Sequence, residues 1–246
     1  MKEANNFRKL LLIILLLNIN IMIAQDKNTG STNLNTHQQS MASISALSAI
    51  GNIQKLKTEL NAGLDSGLSV NEIKEALVQL YAYCGFPRSL NAINAFMEVL
   101  EKRKTDGIID LQGREASPIN DANDKYSVGK ETLQKLTGRE EKGPKTGANA
   151  FAPVIDVFLK EHLFADIFSR DVLNYRQREF VTISILSAMS GVEPQLQAHI
   201  SMGINTGITE GQIIELSAII EKQIGKEQSE IVKSVLKKVV QINKKH

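Results

Sequence analysis

Apolar residues recur along most of the chain at intervals of three and four, which is the spacing of a helix that buries one face. One such series begins at Met41 and a second begins at Phe180. Alternating runs of β-branched residues, which would predict strands, do not occur in the sequence at any useful length. The pattern therefore predicts helices almost throughout and an all-α fold.

The chain contains an internal duplication. The segment LNTHQQSMASISALSAIGNI, which starts at Leu34, aligns with LNYRQREFVTISILSAMSGV, which starts at Leu173, at an offset of 139 residues. After one inserted residue the alignment continues at an offset of 140, from Leu56 against Leu196. The sequence therefore predicts two copies of one helical unit.

Both copies carry the same signals for helix boundaries. An N-cap residue followed three positions later by Glu or Gln predicts a capping box, which satisfies free amides at a helix start. The pairs stand at equivalent places: Asn35 with Gln38, Ser69 with Glu72, Asn174 with Gln177, and Thr209 with Gln212. Gly67 and Gly207 precede two of these caps, where a left-handed residue would end the previous helix. Gly63 and Gly203 lie one turn earlier and predict close helix packing.

The segments outside the two copies differ in composition. Residues 1–24 combine a basic start with an apolar stretch, which is typical of a secretory signal peptide, and residues 25–33 form a polar tether. We expect the first repeat over residues 34–104, a connector with one helix over 105–149, and the second repeat over 150–243. The protein is expected to be secreted or periplasmic, without stable membrane association once the signal is cleaved. A signal retained as an anchor is the alternative.

The composition of the chain limits the kinds of partner and ligand that are expected. The formal net charge of +2 comes from the first 24 residues, tryptophan is absent and aromatic residues make up only 5%, so nucleic acid is not expected as a partner. Cys84 is the only cysteine, so no disulfide can form within the chain. The four histidines do not have the spacing of metal ligands, and no metal site is expected.

Positions at which the copies differ in chemistry are candidates for function. The sharpest difference is His199 in the second copy against Glu59 in the first. His199 shares a helix face with Leu196 and Met202, so it lies on an apolar stripe. It is either a core histidine with one hydrogen bond or a general acid/base whose pKa suits proton transfer.

Charged residues begin the preceding helix of the second copy. Glu179 follows Arg176 and Arg178, and Ser40 stands at its place in the first copy. A glutamate in the first turn is favoured by the helix dipole, and two nearby arginines often form a solvated face. The alternative is that Glu179 orients His199 while an arginine holds a substrate carboxylate with two hydrogen bonds.

The first copy instead carries an aromatic turn, QLYAYCGFPRSLNA, in which Gly85 and Pro87 are expected to break a helix. Tyr81, Tyr83 and Phe86 cluster around it. They form either a helix corner or the wall of a small-molecule pocket that offers a phenol. No counterpart was expected in the second copy. A single site would therefore combine the histidine and the aromatic turn across the copies or between subunits.

At these residues the chain resembles the carboxymuconolactone decarboxylase family, within the alkylhydroperoxidase D-like superfamily, and is most similar to the γ-carboxymuconolactone decarboxylase branch. The likeness is carried by residues 125–138 and 151–213, and by a Y-x-G-x-P motif at Tyr83, Gly85 and Pro87. Further positions that match the family pattern are Arg176, Arg178, Gln195, Leu196, His199, Gly203, Gly207 and Gln212.

The resemblance implies an all-α fold of duplicated helical repeats and a homo-oligomer, a trimer or hexamer. It also implies a cofactor-free lyase for a small carboxylated lactone or related acid. In that lyase His199 is the general acid/base and Glu179 orients it, while Arg176, Arg178 and Tyr83 bind the substrate.

Three departures keep other functions open: the Y-x-G-x-P motif follows the helix of Glu59, the chain carries an export signal, and the first copy lacks the histidine pair. The alternatives are a non-catalytic oligomeric binding protein and a relative of thiol peroxidases. Peroxiredoxin activity would follow from superfamily membership only, because no C-x-x-C couple precedes His199.

Overall fold

A computed structural model describes residues 33–119 and 124–244. Within these ranges the chain forms helices and connecting loops without a strand, which confirms the all-α prediction. The expected signal peptide, and the tether apart from Asn33, lie outside the described residues. No helix of the described part is both long and apolar enough to cross a membrane.

Each repeat consists of four helices. In the first repeat they are α1 Thr36–Ile50, α2 Ile53–Asp65, α3 Val70–Gln79 and α4 Tyr81–Thr105. Between the repeats lie α5 Lys125–Thr137, α6 Gly147–Phe151, α7 Pro153–Val157 and α8 Phe158–Ile167. The second repeat comprises α9 Tyr175–Ser187, α10 Glu193–Asn205, α11 Glu210–Gln223 and α12 Lys226–Asn243.

The helix boundaries predicted from the sequence are present in both repeats. All four capping boxes form, with the N-cap side chain accepting from the N3 amide and the N3 side chain accepting from the N-cap amide. Gly67 and Gly207 adopt φ of 98° and 99°, in the left-handed region. A Cβ at Gly63 would lie 2.9 Å from Ile44, and one at Gly203 would lie 2.8 Å from its counterpart Ile183. The duplication is therefore present in the packing as well as in the sequence.

One core serves both repeats. Helices α1 and α9 pack against each other at its centre, and the middle of each is buried on all sides. The remaining helices of the two repeats cover this pair, and their apolar side chains join one continuous cluster. Because the central helices shield one another from water, neither repeat could bury its core alone.

The segment before α9 is divided into the short helices α6 and α7 and the π-helical α8. A Cβ at Gly129 in α5 would lie 1.8 Å from the carbonyl oxygen of Lys160, so the α5 backbone packs directly on α8. Buried Lys160 donates to Asp156 Oδ1 at 2.8 Å and to Tyr126 Oη at 3.0 Å.

A second, smaller apolar cluster joins this intervening segment to the second repeat. Its members come from α5, from α8 and the residue after it, and from α10: Leu136, Leu163, Phe164, Ile167, Phe168 and Met202. Tyr81 and Tyr83 of the first repeat pack against it. Since Met202 lies one turn after His199, the cluster forms apolar surroundings for the histidine helix.

Gly85 interrupts α4 with φ 76° and ψ 163°, so the predicted helix break is present. Gly225, its counterpart at an offset of 140, separates α11 from α12. The sequence interpretation that the second copy has no counterpart of this turn is therefore wrong for the glycine. It holds for the tyrosines and the proline, which Gln223, Glu221 and Glu227 replace.

The outer faces of the two last helices differ sharply. Helix α4 exposes Phe86, Leu90 and Met97, at 63%, 53% and 61% of their surface. We call these three residues the apolar stripe. Their counterparts on α12 are Lys226, Glu230 and Lys237, which are exposed and charged. One repeat thus presents an ordinary solvated helix where the other presents a hydrophobic surface.

Candidate active site

Helices α9 and α10 bring two predicted site residues together. Glu179 Oε2 lies 2.8 Å from His199 Nδ1, and both side chains are buried. A carboxylate only accepts hydrogen bonds, so this contact places a proton on Nδ1. The remaining ring nitrogen, Nε2, is then the atom through which His199 can exchange a proton.

This pair retains unused hydrogen-bonding capacity. His199 Nε2 makes no hydrogen bond to a residue of the described ranges, and neither does the buried Oε1 of Glu179. Most buried polar atoms have a partner, so an unpartnered carboxylate oxygen beside an available imidazole is an unusual arrangement in a core. The arrangement favours a site over a structural histidine.

The first repeat contributes the third member. The Tyr83 ring stands edge-on to the His199 ring, with centroids 5.5 Å apart, and Thr182 Oγ1 donates to Tyr83 Oη at 3.1 Å. Burial and the nearby charge of Glu179 raise the pKa of Tyr83, so the phenol is protonated at physiological pH. The histidine and the aromatic turn therefore meet across the copies, within one chain.

Arg178 was predicted to bind the substrate, but the structure places it in a different role. It is completely buried and its Nη2 donates to Glu75 Oε2 at 2.9 Å, while its Nη1 donates to Gln79 Oε1 at 2.9 Å. Burial lowers the pKa of Arg178, and the hydrogen bond with Glu75 acts in the opposite direction. The guanidinium thus links the two repeats, and its hydrogen bonds are made to protein groups.

Arg176 lies at the start of α9, beside the first turn of α11. Its Nη2 donates to Gln212 Oε1 at 3.0 Å, and partial burial lowers its pKa. Arg176 therefore lies at the junction of α9 and α11 and is not part of the buried ion pair of Arg178 with Glu75.

The remaining reactive groups are less promising. Burial raises the pKa of the Cys84 thiol to about 11, and the charge of Arg88 only partly offsets this. Because the thiolate is the reactive species, Cys84 is a weak nucleophile at neutral pH. Over residues 33–119 and 124–244, no three His, Cys, Asp or Glu side chains are grouped so as to hold a metal ion.

The first repeat contains the counterpart of this site. Glu59 replaces His199, Ser43 replaces Thr182, and Gln223 replaces Tyr83. Gln223 Nε2 donates to Glu59 Oε1 at 2.9 Å and to Ser43 Oγ at 3.4 Å. In this counterpart the polar side chains therefore form hydrogen bonds with one another.

Sequence reasoning missed Thr182 and Gln79, which connect Tyr83 to Arg178, and Glu75, which pairs with Arg178. A usable signal was present, because the offset of 140 pairs Tyr83 with Gln223 and places both just before the helix-breaking glycines. That correspondence predicts that each repeat supplies one residue to the site of the other.

Residues 22–98, which extend from before the first repeat into α4, match the model of the carboxymuconolactone decarboxylase family. No curated protein matches the chain. The match covers the Y-x-G-x-P motif and the helices whose copies carry Glu179 and His199. By this match and by the all-α duplicated fold, the first repeat is similar to the carboxymuconolactone decarboxylase family.

Proposed function

We propose that the protein is a carboxymuconolactone decarboxylase-like lyase of the γ-carboxymuconolactone type, with its reactive centre at His199. The observation that carries the proposal is the buried Glu179–His199 pair, which leaves Nε2 available beside the phenol of Tyr83. Similarity of the first repeat to the decarboxylase family supports the reaction class.

The proposed mechanism is a decarboxylation followed by a proton transfer. Arg176 holds a carboxylate of the substrate. The bond between the ring carbon and the departing carboxylate breaks, carbon dioxide leaves, and the electron pair moves into the lactone carbonyl to give a dienolate. His199, as imidazolium paired with Glu179, then transfers the Nε2 proton to carbon. Water reprotonates the imidazole. General acid/base catalysis of this kind contributes roughly 10²–10⁴-fold to a rate.

The test is decarboxylation of enzymatically generated γ-carboxymuconolactone. His199→Ala is expected to lower the rate by about 100-fold or more, while the matched variant Glu59→Ala in the first repeat retains activity. Circular dichroism melting of both variants checks that the fold persists. Absence of turnover in the wild type, or turnover that survives His199→Ala, would refute the lyase. Loss of activity in Cys84→Ser would favour the thiol alternative instead.

The proposal also includes the location of the lyase and its oligomeric assembly. The basic and apolar pattern of residues 1–24 supports export to a secreted or periplasmic location. The apolar stripe on α4 supports assembly into a homo-oligomer, because its counterparts on α12 are charged. The trimer or hexamer is what the family resemblance implies.

A further inference from the structure

A chain of hydrogen bonds runs from the interface of the repeats to the phenol of Tyr83. Arg178 Nη1 donates to Gln79 Oε1, Gln79 Nε2 donates to Thr182 Oγ1 at 2.8 Å, and Thr182 Oγ1 lies 3.1 Å from Tyr83 Oη. Gln79, Arg178 and Thr182 are buried. None of these residues has a part in the reaction as described so far.

The amide of Gln79 can take only one orientation. Its Oε1 faces a guanidinium, which donates and never accepts, and its Nε2 lies 2.9 Å from the backbone carbonyl oxygen of Arg178, which only accepts. Exchanging the two amide atoms would break both contacts. The ion pair of Arg178 with Glu75 holds this orientation in place.

The direction of the remaining hydrogen bonds follows. Thr182 Oγ1 accepts from Gln79 Nε2, so its own hydrogen is available for donation, and Tyr83 Oη is its partner among the described residues. With Thr182 donating, Tyr83 Oη is the acceptor of this hydrogen bond. The phenol hydrogen is then left to donate to another group.

This series of hydrogen bonds is found only at the site that contains the tyrosine. At the corresponding positions of the first-repeat site Ile219 replaces Gln79, Gln39 replaces Arg178, and Gln223 replaces Tyr83. Neither isoleucine nor an exposed glutamine can fix the direction of a buried hydrogen bond. The residues that orient the phenol are thus absent from the counterpart that has no phenol.

We infer that Tyr83 is a fixed hydrogen-bond donor to the substrate oxygen on which the dienolate charge develops, and that Thr182 and Gln79 are positioning residues that set its direction. The inference deepens the proposed function and rests on it for the reaction. A donor that is already oriented stabilises a developing oxyanion without reorganising during the reaction. The preferred ligand is therefore a planar lactone that carries negative charge on an exocyclic oxygen.

The experiment measures binding of tetronate, the ionised enol of a five-membered keto-lactone, by calorimetry at neutral pH. Neutral 2(5H)-furanone is the matched probe without the charge. Tyr83→Phe is expected to weaken tetronate binding by about 10–100-fold, the equivalent of one hydrogen bond to a charged group, with a smaller effect on the furanone. Thr182→Val should also weaken tetronate binding, and Thr182→Ser, which keeps the hydroxyl, should restore it to within about threefold.

The double variant tests whether Thr182 acts through Tyr83. If it does, Thr182→Val has no further effect in the Tyr83→Phe background. Losses that add in the double variant, tetronate affinity unchanged in Tyr83→Phe, or no tetronate binding by the wild type would each overturn the inference. Tetronate binding with the expected non-additivity, in a protein that does not turn over γ-carboxymuconolactone, would retain the inference and refute only the proposed substrate.

Discussion

The second-repeat site and its first-repeat counterpart occupy the same corner of the same helical unit, yet their polar groups are used differently. Around His199, the phenol of Tyr83 is held by Thr182, and Nε2 and the second oxygen of Glu179 have no partner among the residues that the structure describes. Around Glu59, the amide of Gln223 bonds directly to the carboxylate. The inner groups are left without such a bond at the site where an outer polar network holds the phenol. Where that network is missing, the inner groups satisfy one another.

The largest effect on stability is expected from a variant that disrupts the outer polar network of the second-repeat site. Arg178→Met should lower the free energy of unfolding by about 1–3 kcal/mol, because it leaves Gln79 Oε1 buried without its donor and Glu75 with Arg170 as its remaining guanidinium. The matched variant Gln39→Met changes an exposed residue and should stay within about 0.5 kcal/mol of the wild type. Urea denaturation of both proteins measures the difference. Equal decreases in the free energy of unfolding would contradict this prediction, because they would mean that the two substitutions destabilise the protein equally.

A second comparison contrasts the outer faces of α4 and α12. Leu90→Glu gives the apolar stripe the charge that its counterpart Glu230 carries, and it should raise the dissociation constant of the homo-oligomer by about tenfold or more, since an interface disfavours an unpaired charge. Glu230→Gln is the control and should leave assembly unchanged. Sedimentation equilibrium measures both. A wild type that stays monomeric at all accessible concentrations would contradict this prediction.

The smallest expected effect is the acid sensitivity of the inter-repeat ion pair. Burial acts to raise the pKa of Glu75, but hydrogen bonds and charge from Arg170 and Arg178 outweigh it and hold the pKa below the ordinary value of 4.5. A depressed folded-state pKa contributes stability that is present above the unfolded-state pKa and is lost as pH falls through the folded-state pKa. We therefore expect the stability advantage of the wild type over Glu75→Gln to shrink below about pH 4.5.

Urea denaturation at several pH values between neutrality and pH 3 would follow this difference. An advantage that stays constant on acidification would mean that Glu75 is not held ionised by its arginines.

Features encoded by a few neighbouring residues could be predicted from the sequence. The capping boxes and Gly67 and Gly207 depend on contacts within about four residues, and they lie where the sequence places them. The duplication was readable for the same reason, because equivalent local signals repeat at a fixed offset. The pairing of Glu179 with His199 followed from two adjacent helices.

Features that depend on contacts between distant residues could not be predicted. Arg178 was expected to bind substrate, but its partner Glu75 lies 103 residues earlier, and only the packing of α3 against α9 joins them. The close approach of α8 to α5 at Gly129 is likewise a contact between residues distant in sequence. A local pattern carries no information about which distant side chain will fill a buried space.

The crossing of Tyr83 into the second repeat and of Gln223 into the first has an evolutionary consequence. A chain that lost either repeat would lose half of the site, even if the surviving repeat could still fold. Each repeat thus supplies a side chain to the polar cluster of its neighbour. A substitution in one repeat can therefore change the hydrogen bonding of the other.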